Sequence, residues 1–380
     1  MSDAIRDALV DQMTTAEIHD LIRNGGYQIL ADANTGKPRA IDFDGPSGLN
    51  EGGVTHEPYS ITYPCAANLA ASWDRQNSYL HGCYVGEDAL ACNGNWGNHQ
   101  YTGVISGWYA PAMKIHRTPF AGRNFEYYSE DGFMSGEMAR EASAACSEKG
   151  VYAYIKHFAL NDQEDYRNGL VTFSNEQAIR EIYLKPFQTC IEGCGTTTIK
   201  TQTYDEASKS FAEAEAEIPA VMAVMSSFNR IGCTWAGGNY SLLTAVLRDE
   251  WGSDGTVITG YDNGGYMDTE QCVRAGGGPH RVGRAGHCAA LEEGESRKLN
   301  VSAAHKTERR EPAILCIPIQ QQPDPERGPA VVIWQWTPFL VCSGVGCRRY
   351  PAGRDGEPPA SMHRLDLKGY LRYTGGAGPV

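Results

Sequence analysis

The feature that most constrains the fold of this chain is a regular alternation of short apolar runs with longer amphipathic segments. Five runs between residues 40 and 261 have the length and composition of buried strands, and they are Ala40–Phe43, Gly107–Met113, Val151–Phe158, Ala220–Phe228 and Thr256–Tyr261. Strands that are apolar throughout and alternate with helices form parallel sheets covered by helices on both faces. The series therefore predicts an α/β protein, and the number of repeats favours a (β/α)8 TIM-like barrel.

Three segments between these runs have the spacing of amphipathic helices. The first ends at Gly150, as expected for a helix with a glycine at its carboxyl cap. Asn175 is placed to cap the start of the second helix. The third carries Leu242 and Val246 in register and stops at Gly252. A polar and acidic stretch that follows the second helix, residues 196–217, indicates an exposed insertion.

The composition of the chain changes near residue 276. Residues 1–275 carry a net formal charge of −17, whereas residues 276–380 carry +4 and hold 11 of the 19 prolines. The second part has one clear apolar run, Pro329–Val341, among stretches typical of loops. We therefore divide the chain into a barrel domain, 1–275, and an atypical Arg/Pro-rich tail, 276–380. The tail is either poorly ordered or translated out of frame, and the barrel is expected to be incomplete at its last strand.

Charge and cysteine usage argue against several classes of function. A formal net charge of −13 disfavours nucleic acids and anionic membranes as partners. The polar N-terminus lacks the apolar run of a signal peptide and no stretch reaches transmembrane length, so we expect a cytoplasmic protein. Twelve scattered cysteines indicate reduced thiols, and the pairs Cys190/Cys194 and Cys342/Cys347 do not form a zinc pattern. No metal or other cofactor is expected, and the oligomeric state stays open.

Polar residues follow several of the apolar runs. Asp44 comes directly after the first run, Lys156 and His157 lie at the end of the third, and Ser226 and Ser227 lie at the end of the fourth. In a parallel barrel the carboxyl ends of the strands meet at one face, which is where active sites are built. These residues are therefore candidates for a common site.

Six longer motifs of the body occur in a fixed order, and they are DGPSGL (Asp44–Leu49), KIHRTPFAGRNFEYYSED (Lys114–Asp131), KHFALNDQE (Lys156–Glu164), SSFNRIG (Ser226–Gly232), LLTAVLRDEWG (Leu242–Gly252) and VITGYDNGGYMD (Val257–Asp268). In this order they resemble glycoside hydrolase family 3, and the resemblance covers about Asp42 to Ala275. The segment after the Lys-His motif has no histidine, so the β-glucosidase-like branch fits better than the branch that acts on N-acetylglucosamine.

The resemblance implies a set of sugar-binding residues. By motif position, Asp44, Arg123, Lys156 and His157 would hold the sugar in the subsite next to the cleaved bond. A carboxylate that accepts sugar hydroxyls, opposed by cationic donors, is sound chemistry for this role. Each residue also has a structural alternative: Asp44 could cap a turn, Arg123 could pair with a neighbouring glutamate, and the Lys-His pair could simply end a strand.

The same resemblance exposes a gap in the catalytic machinery. The family's retaining mechanism uses an aspartate nucleophile in a Thr-Asp-Tyr context, and here Gly260 occupies that position. Asp262 is the substitute candidate, although it lies roughly 6–7 Å further along an extended strand. The acid/base glutamate of the family usually belongs to a separate domain after the barrel, which residues 276–380 do not resemble.

Three hypotheses follow for function. The first is a glycoside hydrolase that acts on β-glucosidic bonds of glucosides or oligosaccharides, impaired in this chain. The alternative is a catalytically inactive sugar-binding barrel. The third is a chain that does not fold stably. Because Gly260 has no side chain, hydrolysis is expected to be several orders of magnitude slower than with an aspartate.

Overall fold

The computed structural model describes residues 11–50, 61–94, 104–205, 208, 210–261, 265–278, 340–342 and 347–349. In chain order its strands are β1 (Gln28–Ile29), β2 (Ala40–Asp44), β3 (Val104–Tyr109), β4 (Tyr152–Phe158), β5 (Val171–Thr172), β6 (Thr196–Asp205), β7 (Ser210–Pro219), β8 (Ala223–Ser226), β9 (Arg230–Ile231), β10 (Thr234–Trp235), β11 (Thr256–Ile258), β12 (Leu340–Cys342) and β13 (Cys347–Arg349).

A six-stranded sheet in the order β1-β2-β3-β4-β8-β11 forms the centre of the described structure. The five strands from β2 to β11 run parallel, and β1 joins the edge antiparallel to β2. Long connections separate the parallel strands, as such pairing requires. The sheet curls into half of a barrel. The prediction of an α/β fold with a parallel sheet is confirmed.

Helices occupy the connections between the strands. They are α1 (Thr15–Arg23), α2 (Ala66–Ala71), α3 (Arg75–Gly94), α4 (Gly132–Glu148), α5 (Glu176–Ala178), α6 (Lys185–Cys194) and α7 (Thr269–Arg274), with π-helical turns at Ile179–Tyr183 and Ser241–Glu250 and 3-10 turns at Asn124–Glu126 and Ala236–Gly238. The helix signals of the sequence are confirmed at both kinds of terminus. Asn175 accepts a hydrogen bond from the Ala178 amide, and Gly150 has a φ of 79° after α4.

Strand β4 shows why the strands are apolar on both faces. All seven of its residues are buried. Tyr152 and Tyr154 point into a core cluster inside the curled sheet, whereas Ile155 and Phe158 pack in a second cluster beneath the helices. A strand that serves two cores cannot alternate apolar with polar residues, so β4 is apolar apart from Lys156 and His157 near its carboxyl end.

The predicted strand bounds are wrong by a few residues at several ends. The run Gly107–Met113 was expected to be a strand, but β3 begins earlier and stops at Tyr109, two residues before Pro111. Proline has no N–H to donate to a central ladder, so the strand ends before it. Strands β8 and β11 are likewise shorter than their apolar runs: the last residues of both runs leave the sheet at its carboxyl edge, and β8 also begins three residues after the start of its run.

The acidic stretch of residues 196–217 was predicted only as an exposed insertion. It is instead mostly a regular two-stranded ribbon, in which β6 pairs antiparallel with β7 over ten residue pairs. Ile199 and Ile218 anchor its base in the core inside the sheet. Glu213, Glu215 and Glu217 are all exposed at alternate positions. The ribbon is therefore solvated as expected and ordered by strand periodicity.

After residue 278 the structure describes only β12 and β13, which pair antiparallel with each other. The rest of the tail, including the predicted poor order, the proposed frameshift and the closing strand, lies outside the described residues. Asp262 also lies outside them. Within the described ranges, no helix combines the length and apolar character needed to cross a membrane.

Candidate active site

Every sequence-predicted site residue that the structure describes lies at or near the carboxyl edge of the parallel strands. Asp44 ends β2, Lys156 and His157 lie in the last three residues of β4, and Ser226 ends β8. Gly260 follows β11 by two residues at the same edge. Since these strands are parallel and the sheet curls, their carboxyl ends converge on one side of the molecule.

Asp44 and Lys156 form the first pair of the site. The Lys156 ammonium donates to Oδ1 of Asp44 at 2.6 Å, and the Gly45 amide donates to the same oxygen at 2.9 Å. The lysine side chain is 2% exposed, whereas the aspartate side chain is 27% exposed. The buried cation thus holds a carboxylate that still reaches solvent. Gly45 adopts a φ of 117° here, and a side chain at this position would collide with Asn50 at 2.6 Å.

Arg123 and His157 form the second pair. Nη2 of Arg123 lies 3.4 Å from Nε2 of His157, and the Tyr127 hydroxyl lies 3.0 Å from Nδ1. Because a guanidinium only donates, Nε2 is the accepting nitrogen and the proton of the neutral ring belongs on Nδ1, which donates to Tyr127. Burial, reinforced by the positive charges of Arg123 and Lys156, holds the pKa of His157 well below its ordinary value. The ring is therefore neutral at physiological pH.

The backbone of Arg123 is strained. Its φ of 63° lies in the left-handed region, which costs a non-glycine residue about 1–3 kcal/mol. The side chain forms an ion pair with Glu126 at 2.6 Å. Burial opposes its charge, but nearby anions, among them Glu126 and Glu164, raise the pKa of Arg123 above its ordinary value. The loop thus presents a permanent cation beside His157.

The structural alternatives that the sequence allowed are also present. Asp44 caps the Gly45 amide, and Arg123 pairs with Glu126. These contacts do not separate a binding role from a structural one, because both arrangements use the same side chains. The pairing of Asp44 with Lys156 and of Arg123 with His157, across three different loops, is the additional feature that the sequence did not specify.

Three further residues belong to this cluster and were not singled out from the sequence. The Glu164 carboxylate lies 3.5 Å from the Lys114 ammonium and 3.8 Å from Arg123, and the Lys114 ammonium lies 4.5 Å from the centre of the Tyr127 ring. All three lie within motifs that carry the family resemblance, but nothing in their spacing indicates that they meet. Burial lowers the pKa of Lys114 to about 8, against the opposing effect of Glu164.

The position after β11 carries no carboxylate among the described residues. Gly260 is buried, and a Cβ atom there would lie 3.3 Å from Cζ of Phe228 and 3.3 Å from the Ser226 carbonyl oxygen. Such contacts are tight but require movements of only tenths of an ångström. The prediction that Asp262 substitutes as nucleophile concerns a residue outside the described ranges and stays a prediction.

A metal site and a separate cavity are the two other kinds of site to consider in the described part of the chain. It contains no group of three or more His, Cys, Asp or Glu side chains that could hold a metal ion. An open cavity of about 390 Å³ lies between the 3-10 turn Ala236–Gly238 and α7, and Tyr240 and Arg274 are among its lining residues. It shares no residue with the Asp44 and Arg123 pairs, so we do not assign it to the candidate site.

Comparison with known proteins identifies the family to which this chain is similar. The model of the Glycosyl hydrolase family 3 N terminal domain matches residues 47–273. Beta-glucosidase A of Butyrivibrio fibrisolvens is 32% identical over 262 residues, which are 66% of this chain and 26% of that protein. A beta-glucosidase of Rhizobium radiobacter is 31% identical over 305 residues, 78% of this chain and 33% of that protein.

A solved structure shows the same fold. Beta-glucosidase 3B of Thermotoga neapolitana, in complex with α-D-glucose, superposes with a TM-score of 0.64 and 26% sequence identity. The match covers 82% of this chain and 42% of that one. The chain therefore spans about a quarter to a third of the length of these two curated relatives and less than half of the solved one.

Proposed function

The chain belongs to glycosyl hydrolase family 3, and from this premise we propose that it is the glucose-binding barrel of a β-glucosidase-type O-glycosyl hydrolase. The observation that carries the proposal is the convergence of two charged pairs, Asp44 with Lys156 and Arg123 with His157, at the carboxyl edge of the sheet. The β-glucosidase names of its relatives support β-glucosides or oligosaccharides as the ligand class.

Each side chain has a defined part in holding a sugar. Asp44 accepts from two adjacent hydroxyls, since its carboxylate reaches solvent while Lys156 neutralises it from below. Arg123 donates to a further hydroxyl. His157 exchanges its long 3.4 Å contact from Arg123 for a shorter bond from the ligand, while Tyr127 keeps the ring oriented. A polyol needs donors and acceptors in alternation, and this set provides both.

The groups that catalytic turnover requires are the least complete feature of this chain. The retaining mechanism requires one carboxylate that attacks the anomeric carbon and a second that protonates the leaving oxygen. Gly260 supplies no nucleophile. By the family resemblance, the acid/base residue usually belongs to a separate domain after the barrel. This observation favours a second candidate function, a catalytically inactive barrel that binds sugar without cleaving it.

The complete fold and the division of the chain are part of the same proposal. We propose a (β/α)8 TIM-like barrel within residues 1–275 that is incomplete at its last strand, because the parallel order from β2 to β11 follows the strand–helix repeat of such barrels. Residues 276–380 form the separate tail. A cytoplasmic location stays a prediction.

Calorimetric titration with D-glucose beside an assay of aryl β-glucoside hydrolysis tests the function. Binding without turnover supports the sugar-binding barrel. Turnover at a rate typical of glycosidases contradicts the conclusion drawn from Gly260. Absence of both overturns the proposal, provided that the chain unfolds in one sharp cooperative transition, which excludes an unfolded sample.

A further inference from the structure

Glu164 lies among three cations that come from two loops, Lys114 and Arg123 from the loop after β3 and Arg167 from the loop after β4. Its carboxylate is 2.6 Å from Nη1 of Arg167, 3.5 Å from the Lys114 ammonium and 3.8 Å from Nη1 of Arg123. The Asn161 amide also donates to it at 3.2 Å. The glutamate side chain is only 16% exposed, so these interactions are weakly screened by solvent.

The same side chain is packed against the loop that carries Arg123. A Cβ atom added to Gly122 would lie 2.4 Å from Cγ of Glu164 and 2.6 Å from its Cβ. Only a glycine at 122 permits this approach. The loop that follows β4 therefore holds the strained backbone of Arg123 by direct contact as well as by charge.

Two routes lead from Glu164 to the sugar site. Arg123 lies 3.4 Å from the His157 ring. Arg167 lies 4.3 Å above the ring of Phe228, and that ring borders the space at Gly260. Through these contacts the Glu164 carboxylate is connected to the residues proposed to hold the sugar. It is also connected to Phe228, which borders the position where the family carries its nucleophile.

Charge balance explains why an anion is needed at this place. Lys114 is 4% exposed, and its ammonium has no hydrogen-bond partner within the described residues. Without Glu164, the positive charges of Lys114, Arg123 and Arg167 would face one another in a half-buried space. Arg123, whose Nη2 already pairs with Glu126 at 2.6 Å, would then lose the attraction of its Nη1 to Glu164 and would be repelled by the other two cations.

We propose that Glu164 is a positioning residue of the sugar site, which holds Arg123 in place to bind the ligand without touching the ligand itself. The inference rests on the proposed function, and it adds a residue to the site that the binding set does not contain. It also assigns the loop between β4 and α5 a part in ligand affinity.

The test compares E164Q with E137Q in the full chain. Glu137 is a matched control, because its side chain is 13% exposed and pairs with two arginines, Arg75 and Arg140, that are not part of the proposed binding set. By calorimetry, E164Q is expected to weaken glucose binding on the order of tenfold, as for loss of a hydrogen bond to a charged group. E137Q is expected to bind as the unaltered chain does.

A double-mutant cycle separates positioning from a general loss of structure. If Glu164 acts through Arg123, then E164Q has little further effect on affinity in an R123Q background. Equal effects in both backgrounds overturn the inference. E164D, which keeps the charge on a shorter side chain, is expected to recover part of the affinity, and it replaces E164Q if that variant does not fold.

A second measurement does not depend on sugar binding. The side-chain Nε–Hε resonance of Arg123, assigned with R123K, is expected to broaden in E164Q and to remain sharp in E137Q. An unchanged Arg123 resonance in E164Q overturns the inference even if the chain binds glucose. Failure of the unaltered chain to bind glucose, with the resonance change present, overturns the proposed function and leaves Glu164 as the residue that orders Arg123.

Discussion

The Lys156 ammonium donates to the Asp44 carboxylate at 2.6 Å although their strands are not neighbours in the sheet. Asp44 ends β2 and Lys156 lies in β4, and β3 runs between them. The ion pair therefore reaches across a whole strand at the carboxyl edge. This contact forms the bottom of the candidate site and joins the ends of β2 and β4 through two residues that are 112 positions apart in the chain.

The difference in burial between these two partners predicts an asymmetric response to mutation. Asp44→Asn leaves a buried ammonium without its counter-charge and should destabilise the fold by about 2 kcal/mol. Lys156→Met leaves a carboxylate that solvent can reach, so the cost should stay within about 1 kcal/mol. Urea unfolding of both variants gives the comparison. A larger loss in Lys156→Met than in Asp44→Asn contradicts the burial argument.

Gly260→Asp tests the two catalytic gaps separately. A Cβ atom at this position requires movements of only tenths of an ångström by Phe228 and the Ser226 carbonyl, and we expect the variant to fold. It should cleave 2,4-dinitrophenyl β-glucoside slowly, because that leaving group departs without protonation, and it should not cleave methyl β-glucoside. Gly260→Asn is the control, since it fills the same space without a nucleophile.

The methyl glucoside is the decisive substrate in that experiment. Its hydrolysis by Gly260→Asp at an appreciable rate requires an acid/base residue within this chain. Such a result contradicts the expectation that residues 276–380 carry no acid/base residue.

Two buried lysines predict that stability rises in mildly alkaline solution. Burial lowers the pKa of Lys37 to about 7 and that of Lys114 to about 8, whereas both titrate near 10.5 when unfolded. Between these values the unfolded chain holds more protons than the folded one. Their contribution to the free energy of unfolding should therefore increase from pH 7 towards pH 10, by up to about 1.4 kcal/mol per pH unit for each proton.

The measurement for the two lysines is the urea midpoint between pH 7 and pH 10. Lys114→Met should reduce the slope above pH 8, and Lys37→Met should reduce it from pH 7 upward. A slope that is the same in the unaltered chain and in both variants contradicts the assignment.

Asp42 predicts a stabilising role for a tyrosine inside the sheet. This buried carboxylate accepts hydrogen bonds from Tyr152 at 2.6 Å, Tyr109 at 3.1 Å and Tyr154 at 3.2 Å, and burial raises its pKa. Tyr152→Phe removes the shortest bond and should cost about 2 kcal/mol. Thermal unfolding measures the loss.

Tyr79→Phe is the matched control for that substitution. The Tyr79 hydroxyl donates to Glu148 at 2.8 Å near the surface, where water can replace it, so its loss should cost about 0.5 kcal/mol. Equal losses of stability in the two variants would show that the burial of Asp42 does not increase the contribution of the Tyr152 hydrogen bond to stability.

The sequence was sufficient to predict the part of the fold that follows from periodicity. The largely apolar run of β4 predicted the parallel sheet, which is confirmed, and the polar residues at the ends of β2 and β4 placed the candidate site at its carboxyl edge, because both depend on local pattern. The motif resemblance added Arg123, which has no local signal. The ends of β3 and the π-helical geometry of Ser241–Glu250 were not predicted, since tertiary packing decides them.

The cluster around Glu164 could not be predicted from the sequence, for a different reason. Its three cations come from positions 114, 123 and 167, and their meeting depends on how two loops fold over the sheet edge. Neither helical nor strand spacing carries that information. The acidic ribbon was likewise recognised as exposed, but its pairing from Thr196 to Pro219 depends on a register that composition does not specify.

If the paired residues at the carboxyl edge bind a glucosyl unit, calorimetry of D-glucose with the full chain should show saturable binding. The Lys156→Met variant, whose fold should be retained, should lose that binding. Absence of glucose binding to the folded chain, or equal binding to both proteins, would contradict this role of the paired residues.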